Sequence, residues 1–273
     1  MTAIDPQTLR TAAESFAREA GAILRAGYGR VHAPEKKGRI DLVTEFDKRS
    51  EALLLERIRQ RFPEHAILAE ESGAHTGGRD ARVRWICDPL DGTTNFAHNY
   101  PFFCVSVGVE VDGAMAAGAI YDPVREELFS AAAGRGATRN GEPIHVSPIP
   151  AVEDALLVTG FPYDVREFPE RHLPLFHEFL MRAQGIRRDG SAALNLCYVA
   201  MGRFDGMWEG SLSPWDIAAG SLIVREAGGR ITGYAGETLR LDGRRIVAAN
   251  PELHTRLVEI IATHPEAAYT PAS

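Results

Sequence analysis

The sequence has little cysteine. Its three residues, Cys87, Cys104 and Cys197, are far apart and form no Cys-x-x-Cys pair. That argues against a disulfide framework or a structural zinc site and fits a reducing compartment. No apolar run approaches the roughly 20 residues that span a bilayer. Residues 1–6 lack the basic-then-apolar pattern of a secretion signal, so the expected location is the cytoplasm. Positive charge is in short supply: 30 Lys and Arg face 37 Asp and Glu, a net charge of −7. A nucleic-acid footprint is normally basic, so no nucleic-acid partner is expected. Internal repeats and low-complexity linkers are absent too. The 45% hydrophobic and 25% charged residues are those of a globular protein, and 273 residues allow one large domain or two fused lobes.

The first helix is legible from its ends. Asp5 caps it, Pro6 takes the first helical position, and Leu9, Ala13, Phe16, Ala20, Ile23 and Leu24 recur at three- and four-residue steps before Gly27. A second helix starts near Thr44, with Asp47 three residues on in a capping-box arrangement and Leu54, Ile58 and Phe62 on one stripe. Short apolar runs at 66–69 and 83–87 then end in acid, at Glu70 and Asp88. Residues 103–111 and 114–121 flank Asp112-Gly113, a hairpin signal; a further turn follows at Asp122-Pro123, and Asn140-Gly141 is another hairpin signal. Beyond Pro150 the reading gives a strand at 155–159, helical stretches including 191–201, and a strand at 204–208. A helix follows from Ser213-Pro214 to Gly228-Gly229, then a late strand at 246–249. Helices interleaved with hairpins predict a layered, mixed α/β fold of one domain over 1–273. Its N-terminal lobe spans about 1–150, its C-terminal lobe about 151–265, and a loose tail 266–273.

Chemistry concentrates at element ends. The strand ending at Asp88 meets Pro89, which is expected to stop the ladder. Asp91 follows in the turn, Gly92 permits close backbone approach, and Thr93-Thr94 can open a short helix whose N–H groups attract phosphate. Asp-Pro and Asp-Gly are also ordinary turn dipeptides, and Asp47 or Asp216 alone is an ordinary first-turn acid. Repetition of the same placement at Asp47, Glu70, Asp88, Asp91 and Asp216 shifts the balance. Two carboxylates about 4 Å apart repel by roughly 4 kcal/mol at an effective dielectric near 20, so such a cluster takes up protons or binds cations. Hard carboxylate oxygens beside a phosphate turn suit Mg²⁺.

These segments resemble the inositol monophosphatase family. The matching motifs are Glu70-Glu71-Ser72, Asp88-Pro89-Leu90-Asp91-Gly92-Thr93-Thr94-Asn95-Phe96, Gly160-Phe161-Pro162-Tyr163, Gly190-Ser191-Ala192-Ala193-Leu194-Asn195, Trp215-Asp216-Ile217-Ala218-Ala219-Gly220 and Glu226-Ala227-Gly228-Gly229. The resemblance runs from about residue 5 to 262. It implies a five-layered αβαβα sandwich of the inositol monophosphatase/fructose-1,6-bisphosphatase type, a homodimer, lithium sensitivity and two to three Mg²⁺ ions. By the same resemblance Glu70, Asp88 and the Leu90 carbonyl hold one ion; Asp88, Asp91 and Asp216 hold a second; Glu70 helps a third through water. Gly92 and Thr93 would give N–H groups to the phosphate, and Asp47 with Thr93 would orient and deprotonate water. Gly190, Ala192, Glu209 and Asp216 would face the substrate, with Glu209 taking ring hydroxyls.

The expected activity is hydrolysis of myo-inositol monophosphate. Related phosphatases acting on histidinol phosphate, fructose-1,6-bisphosphate or 3′-phosphoadenosine-5′-phosphate share the metal motifs and remain alternatives. A haloacid-dehalogenase-type aspartyl-phosphate route is disfavoured, because Asp88 lies three residues before Asp91 rather than two. A regulatory binding protein without catalysis sits poorly with the intact acidic set. Ser72, Cys87 and Cys104 are read as structural. Asp189 has no assigned role, and the basic run 182–188 reads as a helix end or dimer contact.

Overall fold

The structure, a computed structural model, is described for residues 4–30, 35–36, 42–75, 81–162 and 165–268. The first half contains α1 (Pro6–Gly27), short strands β1 (Glu35–Lys36) and β2 (Leu42–Val43), α2 (Glu45–Arg61), β3 (Ala66–Ala69), β4 (Gly73–His75), β5 (Val83–Asp91) and α3 (Thr93–Ala97). Next come β6 (Cys104–Val111), β7 (Ala114–Asp122), β8 (Glu127–Ala132), β9 (Ala137–Arg139) and β10 (Glu142–Pro143). The second half contains β11 (Leu156–Thr159), α4 (Pro169–Arg182), β12 (Gly185–Arg187), α5 (Ala192–Ala200), β13 (Gly206–Gly210), α6 (Pro214–Glu226), β14 (Arg230–Thr232), β15 (Arg245–Ala249) and α7 (Pro251–Ala262).

The period-2 alternation of the strands builds the layers. In β13, Met207 packs into the central core and Trp208 into the outer one; in β15, Ile246 and Ala248 face inward while Val247 and Ala249 face outward. In the larger sheet, Cys104, Ile120 and Phe129 join the central core, and Val105, Ala119 and Leu128 pack under α1 and α2. Apolar residues at every position therefore mean strands covered on both faces. The result is five layers: α1 and α2; an eight-stranded sheet ordered β10-β9-β8-β7-β6-β5-β3-β4; α5 and α6; a five-stranded sheet ordered β12-β11-β13-β15-β14; and α4 with α7. Both sheets are mixed, since β3 runs parallel to β5, and β11 parallel to β12 and β13. This is the fold class expected from the sequence.

Close packing sets where α6 lies. A Cβ on Gly118 of β7 would sit 2.9 Å from Ala219 Cα, so glycine there lets α6 lie flush on the large sheet. Ser106 Oγ of β6 donates to the Trp215 carbonyl at 3.3 Å, which fixes the N-terminus of α6 beside β5 and β6.

Three expectations need correction. The ladder does not stop at Pro89: β5 continues to Asp91, which pairs with Cys104 after a register shift between Asp88 and Asp91. A bulge absorbs the proline's missing N–H. The strand expected at 204–208 is Gly206–Gly210, because 201–205 form a turn after α5. The run 182–188 is more than a helix end, since β12 occupies its centre as an edge strand. Within the tail, residues 265–268 form a 3-10 turn; residues 269–273, like Tyr163, lie outside the described residues.

Candidate functional site

The acidic side chains arrive from four elements. The ends of β3 and β5 deliver Glu70 and the Asp88–Asp91 segment, with Glu70 N–H donating to the Cys87 carbonyl at 3.2 Å. The first turns of α2 and α6 deliver Asp47 and Asp216. Both are third residues of true capping boxes.

In each aspartate, one oxygen is tied to the backbone scaffold. Asp47 Oδ2 accepts from Thr44 N–H at 2.8 Å and Thr44 Oγ1 at 2.5 Å. Asp216 Oδ2 accepts from Ser213 N–H at 2.7 Å. Asp88 Oδ1 accepts from Leu90 N–H at 2.9 Å across the bulge. Asp91 Oδ2 accepts from Ser191 Oγ and Ala193 N–H, both at 2.7 Å, so the start of α5 holds it. That last pair joins the two halves of the chain.

The phosphate turn has the expected form. Gly92 has φ +98° and caps α3. A Cβ there would lie 2.9 Å from the Phe102 carbonyl oxygen, so both the backbone angle and the space demand glycine. Thr93 Oγ1 lies 3.0 Å from Asp47 Oδ1 and 3.1 Å from the Leu90 carbonyl. One hydroxyl proton serves two acceptors. Asn95 Nδ2 donates to the carbonyls of Phe102 and Asp189 at 2.7 Å each, clamping the segment before Gly190 against the end of α3.

The electrostatics are those of an unneutralised acidic cluster. Asp88 is pushed well above the carboxylate range, first by burial and then by the charges of Glu70, Asp91 and Asp216. Asp216 is raised well above its usual range by burial and by Asp91. Asp91 rises to about 6, burial outweighing the donors on Ser191 and Ala193. Asp47 is raised by burial against the pull of Thr44 and Thr93. Glu209, on β13, rises to about 8 through burial and Asp91, opposed by Arg188, and its Oε2 is buried without a hydrogen-bond partner.

Among the described residues, no three His, Cys, Asp or Glu side chains form a ready-made metal cage. The acids converge instead as mutually repelling groups. Their chemistry still suits a hard cation, because the available donors are carboxylates and the Leu90 carbonyl. Cys104 Sγ is 4.0 Å from Asp91 Oδ2, yet burial and the neighbouring acids hold its thiol well above its usual range, so no thiolate competes.

A cavity of about 660 Å³ opens over the cluster, lined in part by Asp91, Gly190, Ala192, Glu209 and Asp216. Five of the sequence-predicted residues thus share one wall. Asp47, Gly92 and Thr93, at the α2–α3 junction, and Glu70 and Asp88, at the strand ends, are not among its lining residues.

Sequence reasoning missed three supports. Glu51, one turn after Asp47 and 4% exposed, accepts from Glu71 N–H at 2.8 Å and from the Ser72 hydroxyl. Ser50 Oγ donates to the Pro89 carbonyl at 2.8 Å. Ser191 holds Asp91. The spacing Asp47, Ser50, Glu51 puts three polar groups on one helical face, and that is the signal that could have exposed the first two.

With this geometry in place, comparison with known proteins gives a consistent picture. The model of the Inositol monophosphatase family matches residues 5–266. The chain is 46% identical over 263 residues to an inositol-1-monophosphatase of Synechocystis sp., covering 96% of this chain and 91% of that one. It is 42% identical over 245 residues to Nus factor SuhB of Salmonella typhimurium, covering 89% and 91%. The solved structure of inositol monophosphatase from Anabaena (Nostoc) sp. PCC 7120 matches with TM-score 0.87 and 46% identity, covering 95% of this chain and 97% of that chain.

Proposed function

Since the chain belongs to the inositol monophosphatase family, a phosphatase family that is generally metal-dependent, we propose that it hydrolyses myo-inositol monophosphate to inositol and phosphate with two to three Mg²⁺ ions. The observation that carries this reading is the Asp47–Thr93 hydrogen bond beside the phosphate turn and the acidic cluster. The proposal includes a single domain, with lobes of about 1–150 and 151–265, working as a lithium-sensitive homodimer in the cytoplasm.

Glu70, Asp88 and the Leu90 carbonyl would hold one ion, Asp88, Asp91 and Asp216 a second, and Glu70 would assist a third. When bound, such ions lower the pKa of water and stabilise the departing alkoxide. The chain's own groups supply the rest. Thr93 Oγ1, donating to Asp47 Oδ1, keeps lone pairs to orient a water, and Asp47 is the base that the proton reaches. Burial raises its pKa, which is the direction that makes a carboxylate a stronger base. Gly92 and Thr93 N–H groups would bind phosphate oxygens. Gly190 and Ala192 leave room for the ring. Glu209 would pair with ring hydroxyls through the oxygen that now lacks a partner.

The test is phosphate release at controlled free Mg²⁺ from inositol-1-phosphate, histidinol phosphate, fructose-1,6-bisphosphate and 3′-phosphoadenosine-5′-phosphate. The highest kcat/KM is expected for inositol-1-phosphate, and Asp91→Asn should abolish release while the protein stays folded. Turnover like the wild type in that variant would defeat the assignment.

A further inference from the structure

The two halves of the chain meet at the substrate side of the cavity, and one neutral amide joins them there. Asn95, on α3 and three residues after Gly92, lines the cavity together with Asp91, Gly190 and Ala192. Its Nδ2 donates to the Phe102 carbonyl on one side and to the Asp189 carbonyl on the other, both at 2.7 Å. Both amide protons are thereby committed. Only a donor suits the place, because two carbonyl oxygens face it. The Phe102 side is itself fixed: Arg125 Nη1 donates to the Pro101 carbonyl and to Asp122 Oδ2, and the guanidinium lies 5.6 Å from the Phe102 ring centre. The amide therefore ties the Asp189 segment, 94 residues away in the chain, to a braced surface.

That segment has a second anchor. Asp91 Oδ2 accepts from Ser191 Oγ and Ala193 N–H, so Gly190 sits between a neutral clamp at Asp189 and an acidic one at Ser191. Gly190 has φ +83°, in the left-handed region, and a Cβ there would lie 3.2 Å from Asn95 Nδ2 and 3.3 Å from its Oδ1. Glycine at 190 lets the loop close onto the amide. The acidic clamp shares its residue with the cation chemistry proposed for Asp91; the amide clamp does not. The phosphate turn keeps its own supports, with Phe96 N–H donating to the Gly92 carbonyl at 3.0 Å and Thr93 Oγ1 to Asp47.

We infer that Asn95 is a positioning residue for substrate selection: its grip on the Asp189 carbonyl sets how far the wall of Gly190 and Ala192 stands from the phosphate turn. That spacing decides which alcohol portion of a phosphate ester fits. This rests on the phosphatase reading and adds a residue that acts on the ester through Gly190. Without the clamp the wall can retreat, which loosens the hold on a ring and leaves the phosphate grip in place.

Asn95→Ala and Asn95→Asp are compared with the wild type on inositol-1-phosphate and on glycerol 2-phosphate, a ring-free ester. Asn95→Ala should raise KM for the ring ester about tenfold, with kcat and the ring-free KM within about threefold of the wild type. Asn95→Asp is close in shape but sets an acceptor against two carbonyls, so it should be worse than Asn95→Ala on the ring ester. A side chain that only fills space would give the opposite order. Gly190→Ala should also impair the ring ester. The loss in Asn95→Ala/Gly190→Ala should fall short of the product of the single losses by about threefold or more, because both act on one contact. Equal losses on both esters, Asn95→Asp milder than Asn95→Ala, or multiplicative single losses overturns the inference. Hydrogen exchange reads the clamp without turnover. The amides of 193–195 donate to Asp91 Oδ2, Ser191 Oγ and the Ser191 carbonyl. In Asn95→Ala they should exchange about threefold faster or more, while unchanged exchange in α1 reports that the variant folds. Unaltered exchange at 193–195 rejects Asn95 as the clamp, even where hydrolysis by the wild type upholds the phosphatase assignment.

Discussion

Asp47 and Asp216 sit at the same place in two unrelated helices, and each gives one carboxylate oxygen to its own cap. Asp88 and Asp91 repeat the arrangement with donors from the bulge and from the start of α5. One oxygen fixes the side chain, and the other is left for chemistry. For Asp47 that second oxygen meets Thr93, so Asp47→Asn and Thr93→Ala should each lower kcat by about 10²- to 10⁴-fold, the usual range for loss of a positioned acid–base group. KM should change little, as measured by steady-state phosphate release. Glu209→Ala should instead raise KM for inositol-1-phosphate more than for a phosphate ester without a ring; equal effects on both would remove it from ring recognition. The residues at capping positions were legible because a cap has a strict spacing. The Ser191–Asp91 and Glu51–Glu71 contacts were not, because the partners lie 100 and about 20 residues apart and only the packed fold joins them.

At the scale of elements, α2 acts as a brace. Asp47 reaches α3, Ser50 the Pro89 carbonyl, and Glu51 the Glu71–Ser72 loop that follows Glu70. Glu51→Ala leaves the part-buried Glu71 N–H and the Ser72 hydroxyl without their charged acceptor, a loss of about 1–3 kcal/mol visible as a lower thermal midpoint. It should also raise the Mg²⁺ concentration for half-activation, while Glu51→Gln, which keeps an acceptor oxygen, is milder. On the other side of the sheet, Gly118→Ala drives a methyl into Ala219 and should cost about 1–3 kcal/mol by overpacking while displacing Asp216. Strongly periodic elements were readable in advance: α1, the Asp112-Gly113 and Asn140-Gly141 hairpins, α5 and α6. β12 and β14 were not, since three-residue strands carry too little periodicity. α7 is missing from the sequence reading although Asn250-Pro251 announces it and Leu253, Leu257 and Ile261 are buried at helical spacing. The bulge in β5 escaped because proline was read as an end rather than as an inserted irregularity.

For the molecule as a whole, the five layers store unneutralised acid at their centre, and stability should report it. Asp91 and Glu209, at about 6 and about 8 in the fold, ionise near 3.8 and 4.5 when unfolded. The folded state therefore holds more protons than the unfolded one, and stability falls as pH rises through that window. His254 opposes this only at acid pH, since burial lowers it to about 4 and it is neutral in both states above about 7. The thermal midpoint of metal-free protein should thus decline from pH 7 to 8.5, Glu209→Gln should flatten the decline, and Mg²⁺ should reverse it. A midpoint that rises over that range would contradict the buried-acid account.

Phosphate release from inositol-1-phosphate, followed while free Mg²⁺ is titrated upward from chelated protein, tests the central claim most directly. Activity should be absent without the ion, rise steeply as it is added, and be lost at every concentration in Asp91→Asn. Steady turnover in excess chelator would show that the carboxylates at the ends of β3 and β5 and in the first turn of α6 serve some other purpose.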